Sequence, residues 1–491
     1  MKPAEKPLVN IRMLMRIIGL LLAIEAVFML FPTLTCLIYD EADVWSFGLT
    51  AAGTFLAGVM LSVFSRPRVS HMGKRDSFLL TSMVWVFYSI FGMLPFIFCT
   101  TPMSVSDSFF EAMSGFTTTG ASTFESINEM SHGVQLWRAM MQWIGGMGII
   151  LFTLAVFPMF NHSGGLQMFN AEVTGITHDK IRPRISQTAK ALWYLYIGLT
   201  FILVMLLWAG PMDFFEAICH SFGTISTGGF STKGNSIAAY DSVYIKIVIT
   251  VFMFLGGVSF ALMYRALCGN WKELRRNDVL RTYIMLIAFF FFVFVICIIS
   301  RNEVHSWQDL TINPLFQIIS TMTSTGFSAT NYESWGPFVI ALMFFMMFFG
   351  ACAGSTAGGT KIDRLLYLVK NCRNEIYRSL YPHSILPVRI NGKVVSPELV
   401  NKVIAFLCIY VALIFIGGLV LTALGMPLVD SFFSVLSCMS NIGLGAGMTG
   451  YGSSFEIVPD AAKWVLSLLM LTGRLEVFTV LLLFTRAFWR K

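Results

Sequence analysis

Ten apolar runs, each long enough to cross a bilayer as a helix, dominate this 491-residue chain. A spanning helix needs about 20 mostly apolar residues, and the stretch from Met285 to Ile299 contains no charged residue at all. Only 12% of the residues are charged, about half the share in a soluble domain. The sequence therefore predicts an all-α integral membrane protein with spans near residues 12–38, 44–64, 78–100, 136–158, 186–209, 242–268, 278–299, 337–371, 397–424 and 460–486.

Basic residues cluster in alternate loops between these spans. The clusters are Arg66, Arg68, Lys74 and Arg75; Lys180, Arg182, Arg184 and Lys190; Arg265, Lys272, Arg275, Arg276 and Arg281; residues 361–402; and Arg490 with Lys491. By the positive-inside rule these loops are cytoplasmic, so both termini lie inside a multi-pass protein of the cytoplasmic membrane. Topology explains the formal charge of +7, and no nucleic-acid partner is expected. The nine cysteines and seven histidines are dispersed and form no metal-ligand pattern.

Four short apolar segments between the spans align with one another. They are DSFFEAMSGFTTTGAS (107–122), DFFEAICHSFGTISTGGFS (213–231), PLFQIISTMTSTGFSAT (314–330) and DSFFSVLSCMSNIGLGAG (430–447). Each begins like a helix too short to cross and ends in small polar residues and glycine, which is typical of a re-entrant loop shielded from lipid. The repeat is therefore span, pore helix, glycine turn and span. All four copies enter from the same side and can surround one axis, which predicts a pseudo-fourfold pore.

These repeats define the expected domain organisation. A leading two-helix unit covers residues 1–70, and pore repeats follow at 71–170, 171–275, 276–385 and 386–491. The spacing from the second phenylalanine to the key glycine is ten residues in three repeats: Phe110 to Gly120, Phe316 to Gly326 and Phe433 to Gly443. In repeat 2 the spacing is thirteen, from Phe215 to Gly228, so we expect its helix or turn to differ.

Extended backbone between these helices leaves carbonyl groups unpaired, which costs several kcal/mol per group in lipid. A dehydrated cation on the axis satisfies such carbonyls, and glycine gives the backbone the freedom to turn them inward. A single Thr-Thr-Gly turn would be explained by an ordinary helix C-cap, whereas four on one side favour a cation filter. The predicted filter residues are Thr118, Thr119 and Gly120; Ser226, Thr227 and Gly228; Ser324, Thr325 and Gly326; and Asn441, Ile442 and Gly443.

With the motifs TTTGA, STGGF, STGF and NIGLG, the whole chain resembles the Trk/Ktr/HKT superfamily of potassium transporters. Two leading spans, Ile11 to Phe64, make it similar to the TrkH branch. The resemblance implies K⁺ as the transported ion, no organic cofactor on this chain, a homodimer, and a TrkA-type cytosolic ring of nucleotide-binding domains as partner. It also implies that selectivity depends on Gly120, Gly228, Gly326 and Gly443. None of the loops matches the T-V-G-Y-G of channels, so imperfect selectivity is expected.

The eighth span is interrupted by MMFFGACAGSTAGGTKIDR, from Met346 to Arg364. Each glycine costs about 1 kcal/mol in a helix, so four of them argue against a continuous helix here. Close helix packing through small residues is the structural alternative. The resemblance implies instead an intramembrane gating loop beneath the filter, formed by Gly350, Gly354, Ser355, Thr356, Gly358, Gly359 and Thr360.

The last span carries Arg474, twelve residues before Arg486, which would place it about 18 Å from the interface in a continuous helix. A charge within the membrane is costly and usually faces a cavity or a partner. Glu476 points to another face of the helix. The resemblance implies that Arg474 faces the ion path below the filter and acts as a barrier. The alternative role for Arg474 is a structural ion pair between helices. Glu25, in the first span, is expected to be structural.

The sequence thus predicts potassium uptake through a channel-like pore, gated by an intramembrane loop under the control of a cytosolic partner. A sodium-coupled symporter like the KtrB branch remains open. So does a secondary transporter of small solutes with discontinuous helices, which two-way inverted symmetry would favour. A membrane enzyme is disfavoured because no cluster of His, Asp and Glu lies within the spans.

Overall fold

The computed structural model describes residues 9–65, 73–148, 185–301 and 306–490, and most of these are helical. The first helices are α1 (Ile11–Ile38), α2 (Val44–Phe64), α3 (Lys74–Gly92), α4 (Leu94–Phe98), α5 (Val105–Phe116), α6 (His132–Gly146), α7 (Ile185–Trp208), α8 (Phe214–Ile225), α9 (Val243–Gly256), α10 (Phe260–Leu267) and α11 (Trp271–Arg276). They are followed by α12 (Asp278–Ser300), α13 (Trp307–Leu310), α14 (Ile312–Met322), α15 (Pro337–Met346), α16 (Ile362–Leu380), α17 (Pro397–Ala423), α18 (Leu428–Met439), α19 (Asp460–Arg474), α20 (Phe478–Leu481) and α21 (Arg486–Trp489).

Short elements complete the described chain. A two-stranded antiparallel hairpin joins β1 (Arg389–Ile390) to β2 (Lys393–Val394), with Arg389 opposite Val394. Single turns of 3₁₀ helix occur in the loops at Ile127–Glu129, Ser236–Ala239, Tyr332–Trp335, Gly447–Thr449, Phe455–Ile457 and Leu482–Phe484. The predicted basic residues Arg66, Arg68, Lys180, Arg182 and Arg184 lie outside the described residues.

Six helices of the described chain are long and apolar enough to cross a membrane, and two bent pairs raise that number to eight. The six are Ile11–Ile38, Val44–Phe64, Lys74–Phe98, Gln187–Trp208, Asp278–Ser300 and Pro397–Ala423. The bent pairs are α9 with α10, at 101°, and α19 with Phe478–Phe484, at 112°. The chain is therefore a multi-pass membrane protein.

The prediction of a continuous second span is wrong for repeats 2 and 4, whereas the interruption in repeat 3 was expected. The helix stops at Gly256 in repeat 2, at Met346 in repeat 3 and at Arg474 in repeat 4. In repeat 1, α6 ends at Gly146, and the rest of the predicted span 136–158 lies beyond residue 148, outside the described residues. Apolar composition shows that a segment belongs in the membrane, but it does not show where tertiary packing interrupts the helix.

Glycine marks the level at which two of these second spans cross the carboxyl end of a pore helix. A Cβ atom on Gly145 would lie 1.8 Å from the carbonyl oxygen of Phe116, the last residue of α5. A Cβ on Gly473 would lie 2.0 Å from the carbonyl oxygen of Met439, the last residue of α18. Since any side chain would collide with backbone there, the crossing itself requires glycine.

The leading helices α1 and α2 pack by a similar backbone contact. A Cβ on Gly58 would lie 2.6 Å from the carbonyl oxygen of Gly19, and a Cβ on Gly19 would lie 2.5 Å from that of Gly58. Close approach through small residues is how helices associate in lipid, where apolar burial offers no driving force. Glu25 of α1 is fully buried on the side of α3, and its Oε1 would lie 3.1 Å from a Cβ on Gly92.

We expect Gly58→Leu to separate α1 from α2 and to destabilise the fold by about 1–3 kcal/mol, the usual cost of overpacking. The matched control is Gly53→Leu on the same helix, because no atom lies within 4 Å of a Cβ at Gly53. The measurement is the thermal midpoint in detergent, followed by size-exclusion chromatography. Equal midpoints for the two variants would contradict the backbone contact.

Candidate functional site

Four short helices, α5, α8, α14 and α18, which the sequence predicts to be pore helices, end in turns with the same backbone conformation. The second residue after each helix has a positive φ of 53° or 54°: Thr118, Thr227, Ser324 and Asn441. Two residues later a glycine has a φ between 80° and 85°: Gly120, Gly229, Gly326 and Gly443. A left-handed residue ends the helix, and a second left-handed residue, which glycine adopts most readily, redirects the chain.

Each turn also closes with the same backbone hydrogen bond. Thr119 N donates to Ser114 O at 2.8 Å in repeat 1, and Gly228 N donates to Gly223 O at 2.8 Å in repeat 2. The equivalent bonds are Thr325 N to Ser320 O at 2.9 Å and Ile442 N to Ser437 O at 2.9 Å. These bonds satisfy carbonyl groups that the helix end would otherwise leave free. The four loops are thus one structural unit used four times.

The predicted triplet of repeat 2, Ser226, Thr227 and Gly228, is one residue out of register. Gly229, not Gly228, has the positive φ and the position four residues after its helix that Gly120 has in repeat 1. The expected difference in helix or turn is also wrong, because α5 and α8 both contain 12 residues. The alignment was counted from Phe215. The residue that lies ten positions before the key glycine of repeat 2, as Phe110 does in repeat 1, is instead Cys219.

The four loops form a closed ring through their backbones. A Cβ on Gly120 would lie 2.1 Å from the carbonyl oxygen of Gly228 in the next loop. The same relation holds for Gly229 with Thr325 (1.9 Å), Gly326 with Ile442 (1.9 Å) and Gly443 with Thr119 (2.3 Å). Each key glycine therefore meets the carbonyl that precedes the key glycine of the following loop, and the fourth loop meets the first. We call Gly228, Thr325, Ile442 and Thr119 the ring carbonyl residues.

A cavity of about 110 Å³ lies over this ring. Its floor includes all four key glycines, Gly120, Gly229, Gly326 and Gly443. Hydroxyl-bearing residues from the chain just beyond each loop, such as Ser122, Ser231 and Ser328, line its wall. Gly228 does not line the cavity, in agreement with the corrected register. The four glycines thus surround one common opening.

The hydroxyl side chains of the predicted filter residues support the loops from behind. Thr119 Oγ1 lies 2.8 Å from Thr117 Oγ1, and Thr325 Oγ1 lies 2.7 Å from Thr323 Oγ1. In repeat 4, Asn441 Nδ2 donates to Thr119 Oγ1 and to Met470 O, both at 3.0 Å. These contacts indicate that the side chains hold the turns.

A buried ion pair, which the sequence analysis missed, joins the first two loops. Arg138 Nε lies 2.7 Å from Glu111 Oε1, and both side chains are at most 1% exposed. Arg138 also donates to Ser122 Oγ at 2.9 Å and to Ser231 O at 3.4 Å, and its guanidinium stacks 4.1 Å from the Phe230 ring centre. A charge within an apolar segment was the available signal, since such residues usually face a partner or a cavity.

Residues 347–361, between α15 and α16, are not helical and lie against the ends of three pore helices. Thr356 Oγ1 donates to Ile225 O at 3.1 Å and to Gly256 O at 3.2 Å. Gly358 N donates to Ser324 Oγ at 2.5 Å, and a Cβ on Gly358 would lie 2.2 Å from Ser440 O. The predicted interruption of this span is confirmed. We call residues 347–361 the intramembrane loop.

The conformation of the intramembrane loop depends on its small residues. Positive φ angles of 64°, 75° and 73° occur at Gly350, Gly354 and Gly359. Ser355 Oγ donates to Cys352 O at 2.6 Å within the loop, and Thr360 Oγ1 donates to Phe348 O. All seven residues predicted for the gate, Gly350, Gly354, Ser355, Thr356, Gly358, Gly359 and Thr360, lie in this segment.

Arg474 fastens the intramembrane loop to repeat 1. Its Nη1 donates to Thr356 O at 2.9 Å, and its Nη2 donates to Gly145 O at 2.7 Å and to Gly146 O at 3.0 Å. The continuous helix on which the predicted depth of about 18 Å rests is absent, because α19 ends at Arg474 and the chain then bends by 112°. Glu476, expected to be a poor partner within the helix, forms an ion pair with Arg364 of α16.

Comparisons with known proteins agree with this architecture. The family of TrkH cation transport proteins matches residues 51–491. The Trk system potassium uptake protein TrkH of Escherichia coli (strain K12) is 36% identical over 487 residues, covering 98% of this chain and 100% of that protein. The Trk system potassium uptake protein TrkG of the same strain is 30% identical over 483 residues, covering 98% of this chain and 99% of that protein.

A solved structure has the same fold over nearly the whole chain. The crystal structure of the potassium transporter TrkH from Vibrio parahaemolyticus matches with a TM-score of 0.87 and 34% identity, covering 98% of this chain and 100% of that chain. Family and fold agree over the same residues. This multi-pass membrane protein therefore belongs to the TrkH family of cation transport proteins.

Proposed function

We propose that this protein takes up K⁺ across the cytoplasmic membrane through the ring formed by its four loops. The observation that carries the proposal is the closed series of contacts in which each key glycine meets the carbonyl of the next loop. The names of the relatives, which are potassium uptake proteins, support the choice of ion. The four repeats would surround the ion path in pseudo-fourfold symmetry, at 71–170, 171–275, 276–385 and 386–491, with residues 1–70 as the leading unit.

In this proposal the ion exchanges its water for backbone oxygens at the ring. Carbonyl groups replace the hydration shell of K⁺ in potassium filters, and their number and field strength contribute to discrimination from Na⁺. The filter residues, in the corrected register, are Thr118 to Gly120, Thr227 to Gly229, Ser324 to Gly326 and Asn441 to Gly443. The carboxyl ends of the pore helices lie at these turns, and their dipoles favour a cation there.

The intramembrane loop would be the gate. It lies against the ends of α8, α14 and α18, so a cation that leaves the ring toward this side meets it. The Arg474 guanidinium holds the loop by Thr356 and adds a positive charge beside the path. Opening would require the loop to leave these partners.

Control would come from a cytosolic TrkA-type ring of nucleotide-binding domains acting on a homodimer, with both termini in the cytoplasm. The basic helix α16 follows the intramembrane loop directly, so a partner that moves α16 pulls on the gate. Rubidium uptake into proteoliposomes, with and without a sodium gradient, tests the proposal. Uptake that requires the gradient would indicate sodium-coupled symport instead.

Gly326→Ser should abolish K⁺ uptake or shift the preference toward Na⁺, because its Cβ would lie 1.9 Å from Ile442 O at a φ of 85°. Gly229→Ser should do the same, since its Cβ would lie 1.9 Å from Thr325 O. Gly234→Ser is the control, because it lines the same cavity but has no atom within 4 Å of its Cβ position. Parental selectivity in the Gly326 and Gly229 variants would rule out the filter assignment.

Thr356→Val should raise K⁺ flux by roughly fivefold to thirtyfold, because it removes the hydroxyl whose one proton is shared between Ile225 O and Gly256 O, a loss of about 1–2 kcal/mol. Thr422→Val is the matched control, since the Thr422 hydroxyl binds Gly418 O within its own helix, α17. The measurement is flux per folded molecule in proteoliposomes without added partner. An increase in the control alone, or in neither variant, would make the loop a packing element.

Arg474→Gln should also raise K⁺ flux, because it removes a charge beside the path and the three-carbonyl clamp on the loop. At a dielectric of about 20, a unit charge about 6 Å away costs nearly 3 kcal/mol, so about a hundredfold is the upper bound. Arg474→Lys keeps the charge and should stay closer to the parent. A well-folded Gln variant with parental or lower flux would refute the barrier.

A further inference from the structure

The second loop differs from the other three at its ring carbonyl residue. Thr119, Thr325 and Ile442 carry side chains there, whereas repeat 2 has Gly228. A Cβ on Gly228 would lie 2.4 Å from Cδ and 2.6 Å from Oε1 of Gln142. Gln142 comes from α6 of repeat 1 and is fully buried. Its amide thus occupies the volume that the loop's own side chain takes in the other repeats.

The Gln142 amide makes two hydrogen bonds that flank Gly229. Its Nε2 donates to Gly228 O at 2.7 Å, and its Oε1 accepts from Phe230 N at 3.1 Å. The orientation of the amide follows from the partners, because Phe230 N–H can only donate and Gly228 O can only accept. Both ends of the amide therefore bind the same loop.

Gly228 O is also the ring carbonyl that faces Gly120. Among the residues that the structure describes, none donates a hydrogen bond to the carbonyl oxygens of Thr119, Thr325 or Ile442. One of the four ring carbonyls is therefore bound to a side-chain amide, and the other three are left for an ion.

We propose that Gln142 is a positioning residue that sets ion selectivity through the Gly228 carbonyl, an inference that rests on the proposed function. Two adjacent glycines, Gly228 and Gly229, give this loop the freest backbone of the four. The amide fixes that backbone, and its N–H draws on the electron density of the carbonyl. A weaker carbonyl field favours the larger, less strongly hydrated K⁺ over Na⁺. Without the amide, the second loop would tighten around the smaller ion.

Three substitutions distinguish the effect of the Gln142 hydrogen-bond donor from the effect of its side-chain packing. Gln142→Leu and Gln142→Met replace the amide by an apolar side chain of similar size that donates nothing to Gly228 O. Gln142→Glu, assayed at a pH at which it is ionised, retains an acceptor for Phe230 N and also lacks the donor. Gln135→Leu is the matched control, because Gln135 lies on the same helix and its amide binds Ile127 O and Met130 O, away from the ring.

The measurement is ⁸⁶Rb⁺ uptake into proteoliposomes in competition with Na⁺, per folded molecule. We expect the Na⁺-to-Rb⁺ ratio to rise about threefold to tenfold in the Gln142 variants, the effect of one neutral hydrogen bond, and to stay parental in Gln135→Leu. Parental ratios in folded Gln142 variants would overturn the inference. Failure of all three variants to fold would also overturn it, since Gln142 would then serve folding alone.

This experiment separates the inference from the proposed function. If the unaltered protein takes up no Rb⁺, the proposed function fails before Gln142 is tested. If it takes up Rb⁺ selectively while the Gln142 variants keep the same ratio, the filter assignment stands and only the role of Gln142 is lost.

Discussion

The structure depends on one repeated contact, the approach of a glycine in each loop to a carbonyl oxygen of the next. No side chain fits at these four places, where a Cβ would lie 1.9–2.3 Å from the oxygen. The contact requires that each pore helix stop at the same level and turn through a left-handed residue, as at Thr118 and its equivalents. It also requires four loops, because the ring closes only when the fourth meets the first.

The interrupted second spans follow from the same arrangement. When the pore helices converge on the ring, the following spans must pass their carboxyl ends closely, which Gly145 and Gly473 permit. The helices end near these crossings, so carbonyl groups such as those of Gly146 and Gly256 have no partner within a continuing helix. Arg474 and Thr356 bind these groups. The polar contacts that hold the intramembrane loop thus use carbonyl groups that are free because the helices break, and the ring requires these breaks.

The sequence was sufficient for features set by local chemistry. Apolar segments followed by glycine turns predicted four short helices, and the glycine-rich stretch after Met346 predicted a non-helical segment. Features set by tertiary contact were not predictable in this way. The two helices on either side of the breaks after Gly256 and Arg474 are together as apolar as one span, so hydropathy does not reveal the breaks. The adjacent glycines of repeat 2 allow two registers, and the structure selects Gly229 by its left-handed φ and by its place in the cavity. Gln142 and Arg138 act on loops that are remote in sequence.

The four loops share a backbone conformation, but different side chains hold it in each loop. Paired threonine hydroxyls support loops 1 and 3, Asn441 supports loop 4 from within, and loop 2 depends on Gln142 from another repeat. Because backbone conformation sets the position of the carbonyls, different side chains can maintain one ring. The supports differ, however, in which carbonyl they bind. Under the proposed function, a ring with symmetric geometry would present an asymmetric field to an ion, and its selectivity would depend on side chains that never touch the ion.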